Sequence, residues 1–119
     1  MMMTTTLMVL PFAANAQADM RKFTEYCLSP EHPKGKNKLR NFAAALGMTP
    51  TVEDAEALRS LALKAVLENE AEPGRLDKYG QRYTVDFEVE RRGRRAVVRS
   101  AWILEHGSVT PKLTTCYVL

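Results

Sequence analysis

Tyr83-Thr84-Val85-Asp86-Phe87-Glu88-Val89-Glu90 alternates apolar and polar residues without a break. Successive side chains of a strand point to opposite faces, so this pattern describes a strand with one buried and one wet face. Downstream, Arg91-Arg92-Gly93-Arg94 is a hairpin turn in which glycine supplies the permissive backbone. Residues 96–105 then run apolar on both faces, with Val98, Ser100, Trp102 and Leu104 on one and Val97, Arg99, Ala101 and Ile103 on the other. A strand of that kind is normally central. Past a loop at 107–111, residues 112–118 form a further strand. Strict alternation there sets Leu113, Thr115 and Tyr117 against Thr114, Cys116 and Val118. The expected sheet is an antiparallel meander over about 81–91, 94–105 and 112–118.

Upstream the period is helical. Asp19 can cap a short helix over 20–28, with Phe23, Cys27 and Tyr26 facing inward, and Ser29-Pro30 ends it. Leu39, Phe42, Ala43 and Leu46 follow the i, i+3, i+4, i+7 rule of a second helix over 36–46, and Gly47 stands where a left-handed C-terminal cap belongs. Thr51 followed by Asp54 resembles a capping box and opens a longer helix over 52–69. Its Ala55, Leu58, Leu61, Ala62, Ala65 and Val66 give a broad core-facing side. Residues 70–80 carry acids and the turn pairs Pro73-Gly74 and Tyr79-Gly80, and read as the connection between a helical half and a sheet half. Helices followed by a meander predict an α+β domain.

The chain has 119 residues, enough for one core without staples or metals and too few for two. Its 45% hydrophobic and 26% charged residues are those of a globular protein. Residues 7–12 are a short apolar run, and Ala14-Asn15-Ala16 and Ala16-Gln17-Ala18 imitate small-residue cleavage sites of a secretory signal. No Lys or Arg precedes Arg21, so the basic flank of such a signal is missing, and the run is too short to span a bilayer. These features predict a poorly ordered leader over 1–9, one α+β domain over 10–119, no membrane association and a cytoplasmic location, with export as the alternative. Cys27 and Cys116 lack the close spacing of a zinc or redox motif and read as small core residues; a staple between them needs the last strand beside the first helix. No phosphate-loop glycine pattern or H-E-x-x-H occurs, so neither a metal nor a cofactor is expected.

The net charge is only +3, but its distribution is uneven. Lys34, Lys36, Lys38 and Arg40 form one cluster and Arg91, Arg92, Arg94, Arg95 and Arg99 another. If the fold joins them they make a phosphate-attracting surface; otherwise they are two separately solvated stretches. The first cluster follows Pro30-Glu31-His32-Pro33, which holds a single imidazole in a stiff turn. Lys38 falls on the border of the second helix's apolar stripe, beside Phe42, where a cation is either aimed at a site or merely covers the edge with its stem.

Tyr26-Cys27-Leu28-Ser29-Pro30-Glu31-His32-Pro33-Lys34-Gly35 with Lys38, Tyr79-Gly80-Gln81-Arg82-Tyr83, and Val98-Arg99-Ser100-Ala101-Trp102-Ile103 with Thr115-Cys116-Tyr117 occur here in order. Together they resemble a family of short bacterial proteins, domain of unknown function 6883, over residues from about 10 to 119. That family carries no established activity, and an LP-x-A-like segment such as residues 10–19 precedes its first helix. In layout the chain is also similar, more distantly, to the barnase, EndoU, colicin and RelE assemblage of metal-independent ribonuclease toxins. That likeness implies RNA as substrate and a cognate immunity or antitoxin protein as partner. It makes His32 a candidate acid or base for attack of a ribose 2′-hydroxyl on its own phosphate. Lys38 would stabilise the phosphate charge, and Ser100, Thr115 and Tyr117 would hold a phosphate or position a proton. Lys34, Lys36, Arg40 and Arg99 are the candidate substrate-binding cations. Ser100 and Arg99 point to opposite faces of a regular strand, so at most one belongs to a shared site unless a bulge intervenes. The competing expectation is a non-catalytic protein- or RNA-binding module of a toxin system, with His32 fastening its loop and the hydroxyl residues serving packing.

Overall fold

A computed structural model describes residues 8–119. The order is a 3-10 turn at Ala13–Asn15, helix α1 (Met20–Lys22) running into a π-helical turn at Phe23–Cys27, helices α2 (Gly35–Leu46) and α3 (Val52–Glu68), and strands β1 (Ala71–Asp77), β2 (Gly80–Arg91), β3 (Arg94–Glu105) and β4 (Lys112–Val118). All four strands form one antiparallel sheet in the order β1-β2-β3-β4. This is the α+β architecture expected from the sequence. Residues 1–7 of the expected leader lie outside the described residues. Met8 is already tied in, its carbonyl accepting the Ala71 N–H at 2.7 Å.

One expected loop is a strand. Residues 71–77 pair with β2 along the sheet edge, with an irregularity between Pro73 and Leu76. An edge strand tolerates a proline that lacks an N–H, and a break in register absorbs it. Most of β1 is exposed, which is why no apolar alternation marked it.

The hairpin between β2 and β3 turns through Arg92 and Gly93, both at positive φ (51° and 74°), and its register pairs Arg91 with Arg94. Positive φ at both central residues is the twist that adjacent strands need. Val85, Phe87 and Val89 of β2 and Val98, Ser100 and Trp102 of β3 are buried against the helices. β3 is an inner strand, as expected, but only its Val98, Ser100 and Trp102 face is buried, and Val97 on the other face is exposed. A register shift opposite Ala101/Trp102 alters β4, so that Leu113 and Cys116, three positions apart, are both buried. Strict alternation had put them on opposite faces; the extra residue of a bulge brings both inward.

The helix caps follow local chemistry. Asp19 accepts the Arg21 N–H at 2.9 Å, Thr51 accepts the Asp54 N–H at 3.3 Å, and Gly47 closes α2 at φ 65°. The cations of the second cluster each have a partner within the fold, and three of them, Arg91, Arg92 and Arg94, bind at helix ends. Arg94 donates to the carbonyls of Ala43 and Ala44 and Arg92 to that of Gly47, at the C-terminal end of α2. Arg91 pairs with Asp54, Arg95 with Glu88 and Glu90, and Arg99 with Asp86. The lysine cluster starts at the opposite end of α2, and the two groups approach each other at Tyr117, where Lys38 lies over the ring and Arg99 is the cross-strand partner.

Trp102 is fully buried, its indole N–H donating to the Ser100 hydroxyl at 2.8 Å, while that hydroxyl donates to the Val85 carbonyl at 2.7 Å. Ser100→Ala leaves a buried donor unpaired, and a loss of about 2 kcal/mol is expected in urea unfolding. A change in the near-ultraviolet circular dichroism of this single tryptophan should accompany it.

Candidate functional site

The site grows from the π turn. The Leu28 N–H reaches back five residues to the Phe23 carbonyl at 2.8 Å, and Phe23, Cys27 and Leu28 are all buried. The wider turn leaves Tyr26 half-exposed at the side of the loop that follows. Single π turns of this kind recur at functional sites. Ser29 then fastens the loop, its hydroxyl accepting the N–H groups of Glu31 and His32 at 3.3 Å each.

His32 acts as the start of α2. Its Nδ1 accepts the N–H groups of Lys34 and Gly35, both at 3.1 Å, and its carbonyl accepts that of Lys36 at 2.9 Å. The unpaired amides of a helix start need acceptors, and no Ser, Thr, Asp or Asn is placed to serve. This network assigns the ring proton to Nε2, because an Nδ1 that accepts two amides cannot also hold a proton. The ring packs edge-on against Tyr26, with centroids 4.6 Å apart and planes at 67°.

Lys38, one turn further along α2, lies between two aromatic faces. Its Nζ is 5.0 Å from the Tyr26 centroid and 5.6 Å from the Tyr117 centroid, within the range of cation–π attraction. Tyr26 therefore joins His32 to Lys38, and Lys38 joins both to β4. Thr115 stands two residues before Tyr117, its hydroxyl 4.0 Å from the Cys27 sulfur.

The remaining candidates divide. Lys34, Lys36 and Arg40 are exposed along α2 and form no ion pair among the described residues. Arg99 is the cross-strand partner of Tyr117 and is held by Asp86 in a bidentate pair, both contacts 2.8 Å. Asp86, and secondarily Tyr117, raise the guanidinium pKa above its ordinary value. Ser100 is not part of this cluster: it lies in the core, and its hydroxyl is used by Val85 and Trp102. His106 is remote as well, its Nε2 2.8 Å from the Asp77 carbonyl.

One feature was not singled out as functional from sequence, and a second was weighed there only as a conditional staple. Tyr26 is the hub of the cluster, and the one signal for it is an aromatic ring six residues before His32. The second is the Cys27–Cys116 pair, whose sulfurs lie 3.6 Å apart with the Cys116 S–H directed at Cys27. That hydrogen bond lowers the Cys27 thiol to about 7 against the opposing effect of burial, with help from Thr115 and Lys38. The Cys116 thiol is pushed up, by the same hydrogen bond first and by burial next. Among the described residues no three His, Cys, Asp or Glu side chains group as a metal site, and no helix is long and apolar enough to cross a membrane.

A family described as a domain of unknown function, DUF6883, matches residues 9–119. No curated protein matches the chain. Among solved structures, the chain is similar to one in a contact-dependent growth inhibition toxin and immunity protein complex from Klebsiella pneumoniae 342. The TM-score is 0.63 at 18% identity, over 90% of this chain and 96% of that one. A likeness at that identity is a likeness of fold.

Proposed function

We propose that this chain, which belongs to the DUF6883 family, is a toxin-system ribonuclease that cleaves RNA phosphodiesters without a metal ion. The observation that carries the reading is the chain of contacts in which the ring of Tyr26 meets both His32 and Lys38, and Lys38 in turn meets the ring of Tyr117. The shared fold with a chain of a toxin–immunity complex supports it and suggests a cognate immunity protein as partner.

In such a reaction the ribose 2′-oxygen attacks the adjacent phosphorus and the 5′-oxygen leaves. The 2′-hydroxyl loses a proton, the leaving oxygen gains one, and the ends are a 2′,3′-cyclic phosphate and a 5′-hydroxyl. Negative charge builds on the non-bridging oxygens, where the Lys38 ammonium acts. His32, with Nδ1 engaged by α2, offers Nε2–H as a donor to the same oxygens. Proton exchange at Nε2 would need the other tautomer and would break both amide contacts. Tyr117, opposite Arg99, is then the group positioned to exchange a proton with substrate, and Thr115 a group to hold it. Lys34, Lys36 and Arg40 extend the positive edge along which an RNA backbone would lie.

A second reading, a non-catalytic RNA- or protein-binding module of the same system, is favoured by the engagement of Nδ1, which gives His32 a sufficient structural role. One set of assays separates the two. The purified chain in chelator is expected to cut RNA, leaving cyclic phosphate ends. Lys38→Ala and His32→Asn should each reduce the rate by about 100-fold. Asparagine at position 32 keeps an acceptor for the start of α2, so thermal unfolding should change little. Intact RNA bound with salt-dependent affinity would replace the nuclease by the binding module.

A further inference from the structure

We infer that Cys27 and Cys116 are a convertible dithiol, closed to a disulfide when the chain folds in the presence of a disulfide oxidant and open under reducing conditions. The inference rests on geometry and is independent of the ribonuclease reading. The two residues are 89 positions apart, both fully buried, and come together because β4 packs on the π turn. Their sulfurs, at 3.6 Å, are already in direct contact with nothing between them. A disulfide needs roughly 2.0 Å, so the side chains must close by a further step of about 1.6 Å. No such contact is required merely to fill the core, where a single small side chain facing an aliphatic one would serve.

Closure proceeds by stepwise exchange. In the folded contact Cys116 donates to Cys27; during folding or local opening either thiolate can start, and the steps are the same written from Cys27. With oxidised glutathione, the Cys27 thiolate attacks one sulfur and forms a mixed disulfide, expelling one glutathione thiolate. The Cys116 thiolate then attacks the Cys27 sulfur, closing the internal bond and expelling the second. Two electrons pass from the cysteines to the oxidant, and the two thiol protons end on the released glutathiones. Burial keeps bulk oxidant away from the folded pair, so closure belongs to folding or to local opening.

The consequence reaches the aromatic cluster. Cys27 follows Tyr26 in sequence and Cys116 precedes Tyr117, so the bond would fasten together the two segments whose rings flank Lys38.

The test refolds the full chain from denaturant into buffers ranging from reduced to oxidised glutathione. At the oxidised end, both thiols should become unreactive to alkylation together, the intact mass should fall by two hydrogens, and a peptide linking Cys27 to Cys116 should appear. The Tm should rise by roughly 10 °C and return on reduction. Cys116→Ser should instead leave Cys27 either free or singly glutathionylated. The inference fails if both thiols of the refolded chain remain alkylatable at every ratio, if each cysteine carries its own glutathione, or if the cross-link occurs only in chains without native circular dichroism.

Discussion

Gly35→Ala is expected to destabilise the fold by about 3 kcal/mol and to pull the aromatic cluster apart. The position is not a left-handed one, so alanine there would improve intrinsic helix propensity by up to about 1 kcal/mol. Steric overlap decides the sign. A Cβ on Gly35 would run into the Tyr26 carbonyl oxygen, with the carbonyl carbon at 2.9 Å and His32 Cβ at 3.1 Å. The obstacle is backbone inside the π turn, which cannot swing away as a flexible side chain would. Either α2 retreats, breaking the 3.1 Å contact between the Gly35 N–H and His32 Nδ1, or the π turn shifts and the Tyr26 ring leaves His32 and Lys38. Urea unfolding measures the loss, and imidazole and tyrosine NMR shifts report the cluster. Gly93→Ala is the comparison: it sits at φ 74° with nothing within 4 Å of the added carbon, so only backbone strain of about 1 kcal/mol is expected. Equal stability of Gly35→Ala and the unaltered chain would mean that the close approach of α2 to the π turn has no structural weight.

Gly35 also shows where sequence reasoning stops. Its helix was legible, because Leu39, Phe42 and Leu46 recur at helical spacing and Gly47 caps it. The central strand was legible from its two apolar faces, and the hairpin from Gly93. The π turn was not, since eight residues cannot distinguish a four-residue from a five-residue hydrogen-bond step, and Tyr26 gained its place from that difference. β1 was hidden by Pro73-Gly74, whose chemistry is that of a turn until an edge strand with a register break accommodates it. The meeting of His32 and Lys38 at Tyr26 could not be read from spacing, because His32 precedes α2 and stands six residues before Lys38. The contact of Lys38 with Tyr117 depends on how β4 docks, and alternation alone misdescribed that strand because a bulge intervenes. The arginine cluster stayed open between a joined surface and solvated stretches because Arg91 and Arg94 find partners at Asp54 and the Ala43 carbonyl, which only the tertiary fold brings near, whereas the pairing of Arg99 with Asp86 follows from the hairpin register.

Of those partners Asp54 has the largest expected effect. It is 6% exposed and its carboxylate accepts from the Thr49 N–H and hydroxyl at 2.7 Å each and from Arg91 at 2.6 Å, joining the first turn of α3 to the end of β2. Burial alone would push this carboxyl up, but Arg91 and the two Thr49 donors overcome it and hold the pKa at about 2 against an ordinary 3.8. A carboxyl lowered on folding stabilises the native state above its unfolded pKa, and that stabilisation disappears as pH falls from about 4 to about 2. The lowering corresponds to about 2 kcal/mol. Asp54→Ala should cost more, about 3 kcal/mol at neutral pH, because it also leaves the largely buried Arg91 guanidinium and the Thr49 amide without their acceptor. Asp54→Asn should flatten the acid limb of the stability curve between pH 4 and 2. Asp19, lowered to about 2 by Arg21, and Asp77, lowered to about 2 by the Tyr79 amide and Arg82, titrate in the same window, but they are unaltered in the variant and drop out of the difference. Urea unfolding of the two chains at a series of pH values measures that difference directly. Parallel curves across the window would show that the Asp54 pair does not distinguish the folded from the unfolded state, and the anchoring of α3 to β2 would then have to come from apolar packing of Leu58, Ala62 and Val66 alone.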